Sequence, residues 1–485
     1  MASTGAQLYP YQVQHQRHML TVMQAKRRGF DGSDTGSGKT DVSCATVRDL
    51  GAEAFIICPL AVVSSWFATA QRWGITVAGV ANYESIRIGK YYKSSADVAA
   101  NRKSKAEFLT VRKVERETVF EWDLPATFVI IVDEAHRGKN NTTLTSTFLT
   151  SLRDAPCRVL LLSATITDKA ECFRTAACIL GLAQHEKYAY NRWLKTLKGE
   201  GNTMEKLHRA VFPTYGGRMR IADIEADMKR QVEEGAAEMP DVGSLFGKPD
   251  MHAEAYEISP EAERVIEEAY AEIREAMRML KEKHAGAICP LTIMLYARMR
   301  IELAKVPIAA GVIRDFLDKG YSVPVFINFN DTAEQLHMAL ENYTRRHKIE
   351  YSYITGGQSL HERDTHIRNF NENKSRILIA NIQAGGVGVN LHDLHGVRRA
   401  SVIMPPVSAI LLKQCLGRTY RIGTKTDPIM RVIYAKGTLS AAGEATGHVV
   451  DGTEARVANI INTKLANIQW LNDATDEDLF EIACK

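Results

Sequence analysis

Seven short apolar runs set the tightest limit on what this 485-residue chain can fold into. They are FIICPL (55–60), FVIIVDEAH (128–136), RVLLLSAT (158–165), VPVFINF (323–329), YSYITGG (351–357), RILIANI (376–382) and ASVIMPP (400–406). Near-continuous runs rich in β-branched residues and bounded by turn formers suit strands of a parallel sheet covered on both faces. Helical stretches separate them, and strand–helix alternation points to doubly wound α/β domains. The runs fall in two clusters, which predicts parallel-sheet domains over 1–215 and 301–440 and a helical insertion or linker over 216–300.

The linker holds SPEAERVIEEAYAEIREAMRMLKEKH (259–284), which reads as one long charged helix. Ser259 suits the N-cap and Pro260 the first turn, and basic residues gather near the end. Val265, Ile266, Tyr270, Ile273, Met277 and Leu280 recur at helical spacing, so one face is expected to pack. The plain expectation is a surface helix between the two domains.

At 45% hydrophobic and 24% charged residues the chain is neither disordered nor fibrous. A net charge of +4 permits a polyanionic partner without requiring one. The cysteines, Cys44, Cys58, Cys157, Cys172, Cys178, Cys289, Cys415 and Cys484, form no CxxC pair and have no histidine cluster at zinc-ligand spacing. They are expected to be reduced structural thiols, which places the protein in an intracellular, reducing compartment (cytoplasm or nucleus, or a virion or host cell if viral). No apolar run approaches the roughly 20 residues that span a bilayer, so no membrane role is expected. The start, MASTGAQLYP, lacks the pattern of a secretory leader.

Chemistry enters at SDTGSGKT (33–40), which precedes a helix of small and apolar residues. Thr35, Gly36, Ser37 and Gly38 would let successive backbone N–H groups face phosphates at the positive end of that helix. Lys39 would neutralise the β- and γ-phosphates of ATP, and the Thr40 hydroxyl would ligate Mg²⁺. Ser33 stands where the strict phosphate-loop pattern has glycine. Further on, Asp133 and Glu134 follow an apolar run, which suits Asp133 to the metal and Glu134 to general-base work on a water. A dinucleotide-binding oxidoreductase is excluded, because no GxGxxG with a downstream ribose-binding acid follows the first strand.

TGSGKT, DEAH and SAT (163–165) resemble motifs I, II and III of the superfamily 2 helicases. That resemblance covers most of the chain and implies two RecA-like domains with ATP and Mg²⁺ bound in the cleft between them. It implies that Ser163 and Thr165 couple hydrolysis to movement, that His136 links them to the ATP site, and that Gln12 in LYPYQ contacts adenine. QCLGRTYRIG (414–423) matches the QxxGRxxR of motif VI through Gln414, Gly417, Arg418 and Arg421. Guanidinium groups suit spread phosphoryl charge, so Arg421 is expected as the arginine finger and Arg418 as a second phosphate contact, with Gln414 beside them. ANIQAGGVGVNLHDL (380–394) resembles motif V, with Gly385, Gly386 and Gly388 allowing close backbone approach and Asn390 pinning the loop. Gly388 is expected on the nucleotide side. Pro59, Asn82, Asn328, Gly356, Arg363, Asn381 and Gly386 are expected along the nucleic-acid backbone, with Phe370 in the same run-up to motif V.

ICPLAVVSSWFATAQRW (57–73), NYES (82–85), VFINF with Thr332, GRTYRIG and the tail GTEARVANIINTKLANIQWLND (452–473) resemble the Swi/Snf-type double-stranded-DNA translocases, and the tail's likeness to their closing helix implies a C-terminal helical brace over 441–485. SATITD and TGSGKT depart from that branch and are shared with phage and viral helicases. The segment 87–116 carries nine basic and three acidic residues, and with Tyr91 and Tyr92 it suits a nucleic-acid groove with stacking rings. The leading expectation is an ATP-driven motor on duplex DNA, coupling hydrolysis to lobe closure. An RNA helicase or RNA-directed ATPase uses the same core and stays open, as does single-stranded DNA as the track. A structural subunit with a vestigial ATPase is disfavoured by intact Lys39, Asp133, Glu134, Arg418 and Arg421. With no zinc-finger-like reader in the sequence, targeting is expected to come from protein partners.

Overall fold

The computed structural model describes residues 6–115, 117–138, 143–164, 170–220, 223–224, 249–282, 289–383, 389–406, 409–421, 423–439, 445–450, 454 and 458. The chain divides into two compact units, residues 1–242 with 359–361, and residues 243–358 with 362–485.

The first unit contains β1 (Arg28–Asp31), β2 (Glu53–Cys58), β3 (Val77–Asn82), β4 (Lys90–Tyr91), β5 (Ser104–Lys105), β6 (Leu109–Val114), β7 (Glu117–Trp122), β8 (Phe128–Asp133), β9 (Arg158–Leu162) and β10 (Gly216–Gly217). Its main sheet is parallel and runs β10-β1-β9-β8-β2-β3. The period-two geometry of a strand divides each apolar run between two cores. Phe55 and Ile57 face a core with Phe148, Phe173 and Leu207. Ile56 and Cys58 face the other, with Val47, Trp66 and Val80. Continuous apolar runs are therefore what the central strands require.

β10 lies inside the stretch expected to be a linker, yet it forms the edge of this sheet beside β1. A Cβ at Gly216 would stand 1.9 Å from the Phe30 carbonyl oxygen, so the close approach needs glycine. Between β3 and β8 the chain inserts two antiparallel ribbons, β4–β5 and β6–β7. Tyr91 and Tyr92, expected as exposed stacking rings, are 7% and 1% exposed. Tyr91 packs edge-on against Phe55 and Phe108, and Tyr92 pairs through its backbone with Val80. The rings serve the core and offer no stacking surface.

The second unit contains β11 (Asp250–Glu257), β12 (Val323–Ile327), β13 (Tyr351–Ile354), β14 (Ile377–Asn381), β15 (Ala400–Ile403), β16 (Ile429–Leu439) and β17 (Ala445–Val450). The order is β11-β16-β15-β12-β14-β13, all parallel, with β17 antiparallel to β16. β11, again within the expected linker, pairs with β16 from Asp250–Ile429 to Glu257–Lys436. β17 falls where a helical brace was expected; residues 441–444, 451–453, 455–457 and 459–485 lie outside the described residues.

The long helix spans Pro260–Lys281, with the Ser259 hydroxyl accepting from the Ala262 N–H as its cap. Ile266, Tyr270 and Ile273 are buried in the core of the second unit and Met277 packs on its edge, while Leu280 is 45% exposed. It is a core helix of this unit, packed on the helix Pro290–Ala304, where a surface helix between domains was expected. Among the described residues the cysteines are free thiols, most of them buried, with Cys289 exposed; Cys484 lies outside the described residues. No described helix is long and apolar enough to cross a membrane.

Candidate nucleotide site and motor motifs

β1 delivers the phosphate loop to the N-terminus of the helix Lys39–Asp49. Gly36 and Gly38 take φ of 85° and 94°, the left-handed region that favours glycine. A Cβ on Gly38 would also stand 2.1 Å from Gln12 Nε2. Gln12 lies in the first turn of the helix Pro10–Lys26 and donates from Nε2 to the Ser37 carbonyl at 2.9 Å. Its Oε1 accepts from the Tyr9 N–H at 2.9 Å, and the Tyr11 hydroxyl donates to the same Ser37 carbonyl at 3.2 Å. The expected adenine-contacting segment thus lies directly against the loop.

Lys39 Nζ donates to the carbonyls of Ser33 and Asp34, at 2.7 and 3.0 Å. Burial lowers its pKa, opposed by the nearby carboxylates of Asp31, Glu134, Asp133 and Asp34. Thr40 sits half-buried in the first helical turn.

Ser33 has a specific environment. Its hydroxyl accepts from the Met219 N–H at 2.8 Å, contacts His15 Nε2 at 3.2 Å and donates to Asp31. Asp31 is 1% exposed, and His15 Nε2 lies 3.1 Å from its Oδ2. Burial would raise the Asp31 pKa, but His15 and Lys39 outweigh it and hold the carboxyl below its usual value. Sequence reasoning missed His15 and Asp31; the only signal was the serine in a glycine position.

The end of β8 carries the acidic pair. Asp133 Oδ2 accepts from Trp66 Nε1 at 3.0 Å, and its Oδ1 from the Glu134 N–H at 3.0 Å. Burial, then the neighbouring charge of Glu134, push the Asp133 carboxyl up to about 6. The Tyr83 hydroxyl donates to the Asp133 carbonyl at 2.6 Å. Glu134 adopts φ 56°, which turns the chain sharply after the strand. His136 Nδ1 then lies 3.2 Å from Glu134 Oε2 and 3.0 Å from Ser163 Oγ. Ser163 N–H in turn donates to the Asp31 carbonyl at 3.1 Å. Lys39, Asp133, Glu134, His136 and Ser163 therefore converge at the carboxyl ends of β1, β8 and β9, whereas Thr165 lies outside the described residues. Trp66 and Tyr83, which hold Asp133, were quoted within motifs but not singled out.

Of the residues expected on nucleic acid, Pro59 follows β2 and opens the short turn Leu60–Val62. Asn82 ends β3, is 4% exposed, and donates from Nδ2 to Glu84 Oε2 at 2.7 Å.

In the second unit Asn328 follows β12 and donates to Glu302 from both its backbone N–H (2.9 Å) and Nδ2 (2.6 Å). Asn381 ends β14 and donates from Nδ2 to Asn330 Oδ1 at 3.1 Å. Gly356 is exposed in the turn after β13, and Arg363 is 4% exposed, donating to the Thr355 carbonyl at 3.2 Å. Gln414 and Arg418 are 5% and 1% exposed. Arg418 Nη1 donates to the Val389 carbonyl at 3.3 Å, and half-buried Arg421 donates from Nε to the Gly417 carbonyl at 2.9 Å. Asn390 is exposed and its carbonyl accepts from Asn371 Nδ2 at 3.1 Å. Gly385, Gly386 and Gly388 lie outside the described residues.

Residues 5–168 match the family described as Type III restriction enzyme, res subunit, and residues 309–423 match the Helicase conserved C-terminal domain. A protein of Acanthamoeba polyphaga mimivirus, provisionally named an ATP-dependent RNA helicase, is 31% identical over 493 aligned residues, covering 97% of this chain and 84% of that protein. The chain belongs to the superfamily 2 helicases. A chromodomain-helicase-DNA-binding protein 1-like of Mus musculus is 21% identical over 89% of this helicase and 48% of its own length. The Sulfolobus solfataricus SWI2/SNF2 ATPase core in complex with dsDNA aligns over 98% of this helicase and 97% of that chain, at 16% identity and a TM-score of 0.33. An S. cerevisiae protein bound to RNA and ADP–BeF3 aligns over 99% and 98%, at 12% identity and a TM-score of 0.45.

As a member of that superfamily the helicase is an ATP hydrolase that works with Mg²⁺. The residues at the loop fit this pair. Among the described residues no group of three or more His, Cys, Asp or Glu side chains could hold a metal. Thr40 and Asp133 supply oxygen donors beside the loop, and Mg²⁺ is commonly held by one or two carboxylates together with substrate phosphates.

Proposed function

We propose that this helicase hydrolyses ATP at the loop 33–40 and uses the energy to move along duplex DNA. Lys39 and the backbone N–H groups of Thr35 to Thr40 bind the phosphates, and Gln12 holds the adenine. Thr40 and Asp133 hold Mg²⁺, which when bound neutralises phosphate charge. Glu134 takes a proton from a water as the water oxygen attacks the γ-phosphorus; the bond from that phosphorus to the β-phosphate oxygen breaks and ADP leaves with the electron pair. Arg421 and Arg418, with Gln414, are assigned to the charge that spreads over the transferred group.

One observation supports coupling above all: the His136 ring touches both Glu134 and Ser163, at 3.2 and 3.0 Å. A change at the water-activating acid therefore has a direct route to the strand end at Ser163. Duplex DNA as the track draws on the Swi/Snf-type motifs around Pro59, Asn82 and Arg421. The name of the mimivirus relative favours a second reading, in which RNA is the track.

ATPase stimulation by duplex DNA, single-stranded DNA and RNA tests the choice, followed by triplex displacement. Duplex DNA should stimulate most. Stimulation by RNA alone would promote the second reading, and none by any nucleic acid would sink both.

A further inference from the structure

The ribbons inserted between β3 and β8 are absorbed neither by the ATP site nor by the motor motifs. In β4–β5, Lys90 and Lys105 are direct cross-strand partners, and like charges placed opposite one another destabilise a ribbon. Lys103 joins them. Its ammonium lies over the Tyr92 ring, 5.3 Å from the centroid, and its pKa is lowered first by burial and then by Lys90. All three lysines are exposed, and among the described residues none is ion-paired. Two arginines of the insertion are neutralised: Arg102 pairs with Asp97, and Arg112 with Glu121.

The lysines stand on a fixed base. Val80 and Tyr92 exchange two backbone hydrogen bonds, at 3.0 and 2.9 Å, which fasten the ribbon to β3. The Ala106 N–H donates to the Gly89 carbonyl at 2.7 Å, and the Tyr91 ring is locked between Phe55 and Phe108. Glu84 is the acid that acts on Lys103, and it is held by Asn82 Nδ2 at 2.7 Å. The cluster therefore adjoins Asn82, a residue already expected on the nucleic-acid backbone. A rigid, mutually repelling group of ammoniums beside such a residue is relieved by phosphate oxygens.

We infer that Lys90, Lys103 and Lys105 form a backbone-phosphate contact for duplex DNA, an added grip beside Asn82. This rests on the duplex reading above.

The test is the affinity of the full chain for a blunt DNA duplex, measured by fluorescence anisotropy across a KCl series. Each phosphate contact contributes about 0.9 to the slope of log affinity against log salt. Replacing all three lysines with glutamine should weaken binding and reduce that slope by about two to three, whereas replacement with arginine should keep it. Melting curves establish that each variant folds. Should the triple glutamine variant not fold, Lys90→Gln and Lys105→Gln singly should each reduce the slope by about 0.9. Wild-type protein that ignores duplex DNA overturns the proposed track. Wild-type binding with an unchanged slope in the glutamine variants overturns the lysine grip alone, as does a reduced slope on RNA but not on DNA.

Discussion

His136 Nδ1 lies 3.0 Å from Ser163 Oγ, joining the turn after β8 to the end of β9. Because the same nitrogen is 3.2 Å from Glu134 Oε2, the histidine bridges the two strand ends from the side of the acid. A bond of this type contributes about 0.5–1.5 kcal/mol net, enough to bias a two-state element about twofold to tenfold.

Ser163→Ala removes that bond without touching the residues assigned to water or phosphate. ATP turnover should stay within a few-fold of wild type, while triplex displacement per ATP consumed falls by about twofold to tenfold. Turnover and displacement, read on one preparation, decide the matter. A parallel fall in both would mean that the serine serves hydrolysis and not coupling.

Glu134→Gln keeps the size of the side chain and removes its basicity. Loss of a positioned general base costs about 10²–10⁴ in rate, so turnover should drop by that much while ATP binding, followed by calorimetry, stays near wild type. Normal turnover would transfer the base role to another group.

Glu302 makes a different kind of contribution. It is 4% exposed and accepts from the Asn328 N–H, Asn328 Nδ2, the Phe329 N–H and the Thr332 hydroxyl, at 2.9, 2.6, 3.3 and 2.8 Å. Those donors form the turn after β12. Glu302→Ala leaves them buried with water or nothing, and should cost about 2–4 kcal/mol in urea unfolding. Glu302→Gln can still accept on one oxygen and should recover part of the loss. Equal midpoints for wild type and the alanine variant would show that the turn is held by other means.

How much of this was legible beforehand follows from where the information lies along the chain. Apolar runs such as FIICPL announce central strands because both faces of the sheet are covered. β1, RGFD, is four residues long with charged ends, and β10 is two glycines; neither has a periodicity to read. The helix 259–284 showed its apolar stripe, but a stripe does not say which core it enters. Lys39, Asp133 and Glu134 stand in contiguous motifs. His15, Asp31 and Ser33 meet Met219 across 186 residues of separation from Ser33, and only the folded chain brings them together. Tyr91 and Tyr92 were misplaced because adjacent rings among lysines resemble a stacking surface, while alternation along the chain sends Tyr91 into one core and Tyr92 into the other.

His208, in the helix Thr203–Val211, gives a pH signature for the first unit. Its Nδ1 is 3.3 Å from Arg218 Nη1. Burial, followed by the charges of Arg218 and Arg220, pushes its pKa from 6.5 down to about 4. The folded protein therefore keeps this ring neutral to about pH 4, whereas in the unfolded chain it takes up its proton near 6.5. Between those values the unfolded state binds more protons, so stability is lost as pH falls. The loss from one group cannot exceed about 1.4 kcal/mol per pH unit, and solvent around this half-buried ring will reduce it. His208→Gln retains an acceptor for Arg218 and cannot titrate. Urea unfolding at a series of pH values should show the wild type losing stability faster than the variant below pH 6.5, with the two pH profiles parallel above pH 7. Curves that stay parallel down to pH 4 would mean that His208 is as free to charge in the folded protein as in the unfolded chain.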